Sequence, residues 1–132
     1  MFAKKKQPPI RTLIGEGTVI RGELAFTDGL RIDGEVQGDV VATTLENSIL
    51  VISEKAKVSG KVRAGHVIIN GHVNGPVQAD ALLELQPKAV IVGDVKYESL
   101  EMHQGATIEG ELRPLKAEEK PAIVKLAASN AQ

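Results

Sequence analysis

Apolar and polar residues alternate through most of this chain in a short phrase, apolar-x-Gly-x-apolar, which occurs eight times. In the phrase at residues 58–62, Val58, Gly60 and Val62 share one side, while Ser59 and Lys61 share the other. A period of two is the side-chain alternation of a β-strand with one buried face. The phrase therefore predicts short strands that are separated by glycine corners.

These phrases return at a nearly constant distance. One glycine per repeat gives a mean spacing of 17.6 residues over five steps, and the six glycines are Gly22, Gly38, Gly60, Gly75, Gly93 and Gly110. Repeats of this length built from short strands are typical of a β-solenoid, in which each turn packs on its neighbours. The longest step contains residues 42–48, which we interpret as an insertion at one corner. The sequence thus predicts an all-β solenoid of about six turns.

Prolines mark the limits of the repeats. Pro8 and Pro9 precede the first strand pattern, and Pro114 follows the last one. Proline lacks the backbone donor that a sheet needs, so it favours unpaired, extended chain. We predict a disordered N-terminal tail at 1–12, a β-helix domain at 13–113 and a disordered C-terminal tail at 114–132.

The composition agrees with stacked strands and limits the classes of molecule that the chain can bind. The chain has three aromatic residues and no cysteine, so a core would consist of Val, Ile and Leu, and neither disulfides nor thiol chemistry is available. Residues 13–112 carry 8 basic and 15 acidic side chains, a net charge of −7. An acidic body excludes the basic footprint that nucleic acid requires.

Motifs for catalysis or cofactor binding are weak throughout. The Gly60-Lys61 pair lacks the earlier glycine and the following hydroxyl of a phosphate-binding loop, so we predict a corner glycine and no nucleotide. His66 and His103 are two repeats apart, about 10 Å, which is too far to share one zinc ion. Acidic pairs such as Glu109 and Glu111 recur as an outward polar face. We therefore predict no catalytic residues, no cofactor and no metal, and hence no enzyme.

A solenoid has two ends, where unpaired strands can template further pairing. Pro114 could end the pairing at one of them, but neither end shows an amphipathic capping segment. We predict instead that the ends meet other copies of the chain. The predicted polymer interface consists of apolar residues from the first and last turns: Leu13, Ile14, Val19, Ile20, Ile108 and Leu112.

The N-terminus begins with Met1 and Phe2, and Lys4, Lys5 and Lys6 follow. A large apolar side chain can enter the headgroup region of a bilayer while each lysine adds about 1 kcal/mol near anionic lipid. No apolar run is long enough to span a membrane or to act as a signal peptide. We predict that these five residues bind an anionic membrane surface weakly in one copy and firmly in a polymer.

Residues 10–113 resemble the bactofilin family. The resemblance rests on the opening at 15–24, on the segment at 30–38, on the order of the eight phrases and on the proline-bounded tails. It implies a right-handed β-helix of about six triangular turns that polymerises end to end, without nucleotide, into filaments that lack polarity. It also implies a cytoplasmic scaffold at the inner face of the bacterial membrane, which organises cell shape or wall-modifying enzymes. Members with a similar Met-Phe and lysine start use it to bind that membrane.

Two enzyme classes are the alternatives. Ile14, Ile20, Phe26 and Ile32 are six residues apart, as in a hexapeptide-repeat acyltransferase, but the rhythm is lost at Gly38 and no histidine has supporting catalytic residues. A polysaccharide-cleaving enzyme is the third possibility, since many such enzymes are β-solenoids with paired carboxylates.

Overall fold

The computed structural model describes residues 8–116, which form a β-solenoid without helices. Sixteen strands in this part of the chain make six turns with three strand segments each. The strands are β1 (Ile10–Ile14), β2 (Val19–Arg21), β3 (Leu24–Phe26), β4 (Gly29–Ile32), β5 (Glu35–Gln37), β6 (Val40–Ala42), β7 (Ile49–Ile52), β8 (Lys57–Ser59), β9 (Val62–Ile69), β10 (His72–Asn74), β11 (Val77–Leu85), β12 (Val90–Val92), β13 (Val95–Tyr97), β14 (Leu100–Met102), β15 (Thr107–Glu109) and β16 (Leu112–Pro114). The predicted all-β solenoid of about six turns is confirmed.

All strand pairs are parallel, and they form three faces. Face A contains β1, β4, β7, the second halves of β9 and β11, and β14. Face B contains β2, β5, β8, β10, β12 and β15. Face C contains β3, β6, the first halves of β9 and β11, and then β13 and β16. Because β9 and β11 continue around the corner between faces C and A, sixteen strands supply eighteen segments.

The corner between faces B and C explains the glycine phrase. In every turn it consists of two residues, of which the first is one of the six glycines that mark the repeats. All six have positive φ, between 127° and 154°, which L-residues with a side chain rarely adopt. They also stack, because a Cβ on each of the last five would overlap the carbonyl oxygen of the glycine in the preceding turn. The six phrases at this corner therefore share one backbone requirement.

The core is a stack of aliphatic layers inside the three faces. On face B, for example, Val36, Val58, Val73 and Ile91 follow one another in register and are at most 1% exposed. Each such side chain buries its apolar surface between the turn above and the turn below, which contributes about 1.5–3 kcal/mol per residue. Stability is thus shared between neighbouring turns and does not reside in any turn alone.

The predicted insertion lies between β6 and β7, at a corner between faces C and A. Ser48 in this loop is buried, and its Oγ accepts a hydrogen bond of 2.9 Å from the backbone nitrogen of Gly65 in the next turn. Leu45 packs against the core cluster from the same loop. The extra residues therefore fold back onto the solenoid and are anchored to turn 4.

Candidate polymer ends

Three aliphatic columns of the core run from turn 1 to turn 6. The column on face A begins at Ile14 and ends at Met102, and the column on face B begins at Ile20 and ends at Ile108. On face C, the column ends at Leu112. At the ends these side chains have a neighbouring turn on one side only, so part of their apolar surface faces water.

The C-terminal end is the more open of the two. Met102 is 45% exposed and Leu112 is 42% exposed, although both occupy columns whose inner members are fully buried. Leu100 and Ile108 are half-buried beside them. These four side chains form an apolar end surface, which we call the C-terminal end.

The N-terminal end is better covered. Ile14 and Phe26 are buried, while Ile20 and Leu24 are half-buried against the core. Phe26 occupies a column that continues as Ala42, Ala64 and Ala79, so its ring fills space that small residues leave open in the inner turns. We call Ile14, Ile20, Leu24 and Phe26 the N-terminal end.

The outer strands at both ends have one partner each. The strands β1, β2 and β3 pair only with turn 2, and β14, β15 and β16 pair only with turn 5, among the strands at 10–114. Half of the backbone donors and acceptors of these strands therefore point away from the molecule. Such edges are templates for pairing with another chain.

Four of the six predicted interface residues lie at the ends. Ile14 and Ile20 belong to the N-terminal end, and Ile108 and Leu112 belong to the C-terminal end. Leu13 and Val19 lie in turn 1 but point outward, because their register partners are Arg31 and Glu35 on the outer surface. Leu13 is 60% exposed on the side of face A. The interface itself stays a prediction for all six.

Sequence reasoning missed Leu24, Phe26, Leu100 and Met102. The last two follow Leu83 and Leu85 by one repeat of 17 residues, so repeat spacing on face A was the available signal. The glycine phrase includes Leu24 but not Phe26, Leu100 or Met102, which is why it did not reveal those three.

The predicted membrane-binding residues Met1, Phe2, Lys4, Lys5 and Lys6 lie outside the described residues. Within residues 8–116, no helix has the length and apolar character that crossing a bilayer requires.

The two separated histidines meet the same carboxylate. His66 Nε2 lies 3.9 Å from Glu84 Oε1, and His103 Nε2 lies 3.8 Å from Glu84 Oε2, so one glutamate stands between two histidines that are two turns apart. In the described part of the chain, no group of three or more His, Cys, Asp or Glu residues has the arrangement of a metal site. The cluster is therefore a chain of polar contacts along face A.

This cluster makes stability depend on pH. Burial lowers the pKa of His66, and the negative charges of Glu84 and Glu101 oppose the shift without cancelling it. The unfolded chain then binds the proton more tightly, so stability falls as the pH drops through the ordinary histidine pKa of about 6.5. We expect the melting temperature to fall between about pH 7.5 and pH 5.5, and His66→Gln to remove part of that decrease. The same pH dependence in the variant and the parent chain would contradict this assignment.

Comparisons with known proteins agree with the geometry. Residues 12–113 match the family model described as "Bactofilin: Polymer-forming cytoskeletal". The chain is 29% identical over 109 residues to Bactofilin BacO of Myxococcus xanthus (strain DK1622), with 83% of each protein covered. It is 27% identical over 123 residues to Bactofilin BacP of the same strain, and the match covers 89% of this chain but 50% of that relative. No solved structure matches significantly. The chain therefore belongs to the bactofilin family of polymer-forming cytoskeletal proteins.

Proposed function

We propose that this protein is a cytoplasmic scaffold whose solenoids join end to end into filaments without polarity. The observation that supports this proposal is that the core columns of a six-turn solenoid end in apolar residues at both ends, where each outer strand at 10–114 is paired on one side only. Covering Met102, Leu112 and their neighbours with a second copy removes apolar surface from water, which is favourable by about 25 cal/mol per Å². When identical ends meet, the contact is two-fold symmetric and the filament has no direction.

Assembly by this route needs no nucleotide. Lys61, the one residue that suggested a phosphate-binding loop, follows the positive-φ corner glycine Gly60. Its backbone nitrogen donates a hydrogen bond of 2.9 Å to Asp39 Oδ1, and the strand β9 follows, where a phosphate-binding loop would lead into a helix. The free energy for assembly comes from the end surfaces alone in this proposal.

Electron microscopy of the purified protein without nucleotide tests the proposal directly. We expect filaments whose individual strands are each one solenoid wide and which lengthen with protein concentration. Compact trimers would instead favour the hexapeptide-repeat acyltransferase. A protein that stays strictly monomeric at high concentration would overturn the proposal.

We further propose that Met1, Phe2 and Lys4–Lys6 attach the filament to the inner face of the cytoplasmic membrane. The three lysines contribute about 3 kcal/mol together near anionic lipid, which is weak for a single copy. A filament presents many such segments at once, so its overall attachment is far stronger than that of one chain. The attached filament would then hold enzymes that shape the cell or modify its wall.

Deleting residues 2–6 tests the membrane part. We expect the deletion variant to remain in the supernatant when it is centrifuged with anionic liposomes under conditions that leave bare filaments in solution, whereas the parent chain sediments with the vesicles. Neutral liposomes serve as the control, and filaments of the variant should look unchanged in the microscope. Equal co-sedimentation with and without the segment would refute the role of these residues.

A further inference from the structure

The outward side of face A carries a column of six residues with an unusual order. In register from turn 1 to turn 6, they are Leu13, Arg31, Val51, Ile68, Glu84 and Glu101. The residues before and after each of the four middle members are only 0–1% exposed, so the side chains of the column point away from the core. Two apolar residues therefore lie at its centre, with a cation on one side and a carboxylate on the other.

The outward side of face A is apolar at its centre, in turns 3 and 4. Val51 and Ile68 line a groove of about 480 Å³ together with polar residues such as Arg31 and Asn70. Face B is different in the middle turns, since its outward residues there are Glu35, Lys57 and His72 in one column and Gln37, Ser59 and Asn74 in the next. Apolar side chains on an otherwise polar outer surface mark a contact site.

The order of charged and apolar residues along this column indicates which molecule binds to face A. We propose that a second copy of the chain packs face A against face A with its solenoid axis reversed. A two-fold axis between turns 3 and 4 places Val51 opposite the partner's Ile68, and Arg31 opposite the partner's Glu84. Each contact occurs twice, as it must in an isologous interface. The four middle residues of the column are therefore complementary to their own reversed copy.

Pairing with parallel axes gives the opposite result. Each residue would then face its own copy, so Arg31 would meet Arg31 and Glu84 would meet Glu84. Like charges placed directly opposite each other oppose association and select against the wrong arrangement. The charges on face A thus choose the antiparallel orientation.

The flanking column supports the same dyad. Ser53 in turn 3 comes to lie opposite the partner's Asn70 in turn 4, and Asp33 in turn 2 comes to lie opposite the partner's Gln86 in turn 5. Both pairs combine donors with acceptors. Arg31 already donates through Nε to Asp33 Oδ1 at 3.0 Å, and the guanidinium has further N–H groups for the partner's Glu84.

The contact is small and rests on the proposed polymer. Four turns of four residues cover about 250 Å² per copy, which is well below the area of a stable isolated dimer. End-to-end assembly repeats the contact along the filament, and repetition converts weak contacts into firm ones. The expected product is a pair of filaments that lie side by side.

Charge reversal tests this arrangement in filaments of the full chain. We expect the parent chain to form paired filaments, and Arg31→Glu or Glu84→Arg to form single filaments, because each change creates like-charge contacts. The double variant Arg31→Glu/Glu84→Arg restores both attractive contacts in the antiparallel arrangement and should restore pairing. Lys57→Glu, a reversal on face B in turn 3, is the matched control and should leave filaments paired.

Cysteine chemistry gives a second readout, because the chain has no cysteine of its own. In a mixture of Val51→Cys and Ile68→Cys chains, a short bifunctional thiol reagent should join unlike chains across face A. The control mixture of Lys57→Cys and His72→Cys, from the same two turns of face B, should remain unlinked. Single filaments in the parent chain, or a double variant that stays single, would overturn the pairing; a protein without any filaments would overturn the end-to-end proposal instead.

Discussion

Replacing Gly60 with alanine is expected to cost about 3–5 kcal/mol of folding stability, or to prevent folding altogether. Gly60 has φ of 154°, and an added Cβ would overlap the carbonyl oxygen of Gly38 in the turn below while lying 3.0 Å from the backbone nitrogen of Asp39. Both obstacles are backbone atoms of a paired turn, so relief requires two turns to separate. Separation would break the hydrogen bonds of the corner and open the core columns beside it.

The same replacement at Gly22 provides the control. Gly22 has φ of 127°, but nothing lies within 4 Å of an added Cβ because turn 1 is the outermost turn. Only backbone strain remains, about 1–3 kcal/mol. The difference between the two variants thus isolates the overlap between stacked turns.

Thermal unfolding, followed by circular dichroism, measures this difference. Filaments raise the apparent stability of the folded state by mass action, so both variants should be compared in a background that cannot polymerise. We expect the melting temperature of Gly60→Ala to lie well below that of Gly22→Ala. Equal melting temperatures would mean that the glycine ladder is not a close-packed feature of the fold.

The glycine phrase predicted the corners and the turn count because it records a backbone constraint. Six of its eight occurrences lie at the corner between faces B and C, and the other two, at residues 32–36 and 69–73, lie between faces A and B. Any turn that stacks on a preceding turn at the corner between faces B and C needs glycine there, whatever the flanking residues are. The requirement is local in sequence, so a single chain displays it.

Face A was less readable from the sequence, because its two central strands contain apolar runs without alternation. Residues 49–52 of β7 and 67–69 of β9 contain no polar residue, so alternation does not tell which side chains point outward. Only register with Arg31 and Glu84 assigns Val51 and Ile68 to the outer surface. The sequence also did not show that Leu13 points outward, because the register between β1 and β4 shifts between Ile10 and Thr12.

Replacing Leu112 with arginine is expected to abolish filaments and leave short soluble species. Leu112 ends the core column of face C and belongs to the C-terminal end. In a junction, an arginine there would be enclosed by apolar residues of two copies without an opposite charge, and burying an unpaired charge costs several kcal/mol. Met102→Arg and Ile108→Arg should act in the same way, since they alter the same surface.

Val92→Arg is the control for this prediction. Val92 and Leu112 are both 42% exposed, but Val92 points outward from the side of face B, where its register partner in turn 6 is Glu109. An arginine at position 92 remains in water after end-to-end assembly, so filaments should persist. Sedimentation velocity at equal concentrations separates the outcomes, and the position of the residue, not its exposure, is expected to decide them. Filaments that survive Leu112→Arg and are lost with Val92→Arg would move the junction from the ends of the solenoid to its sides.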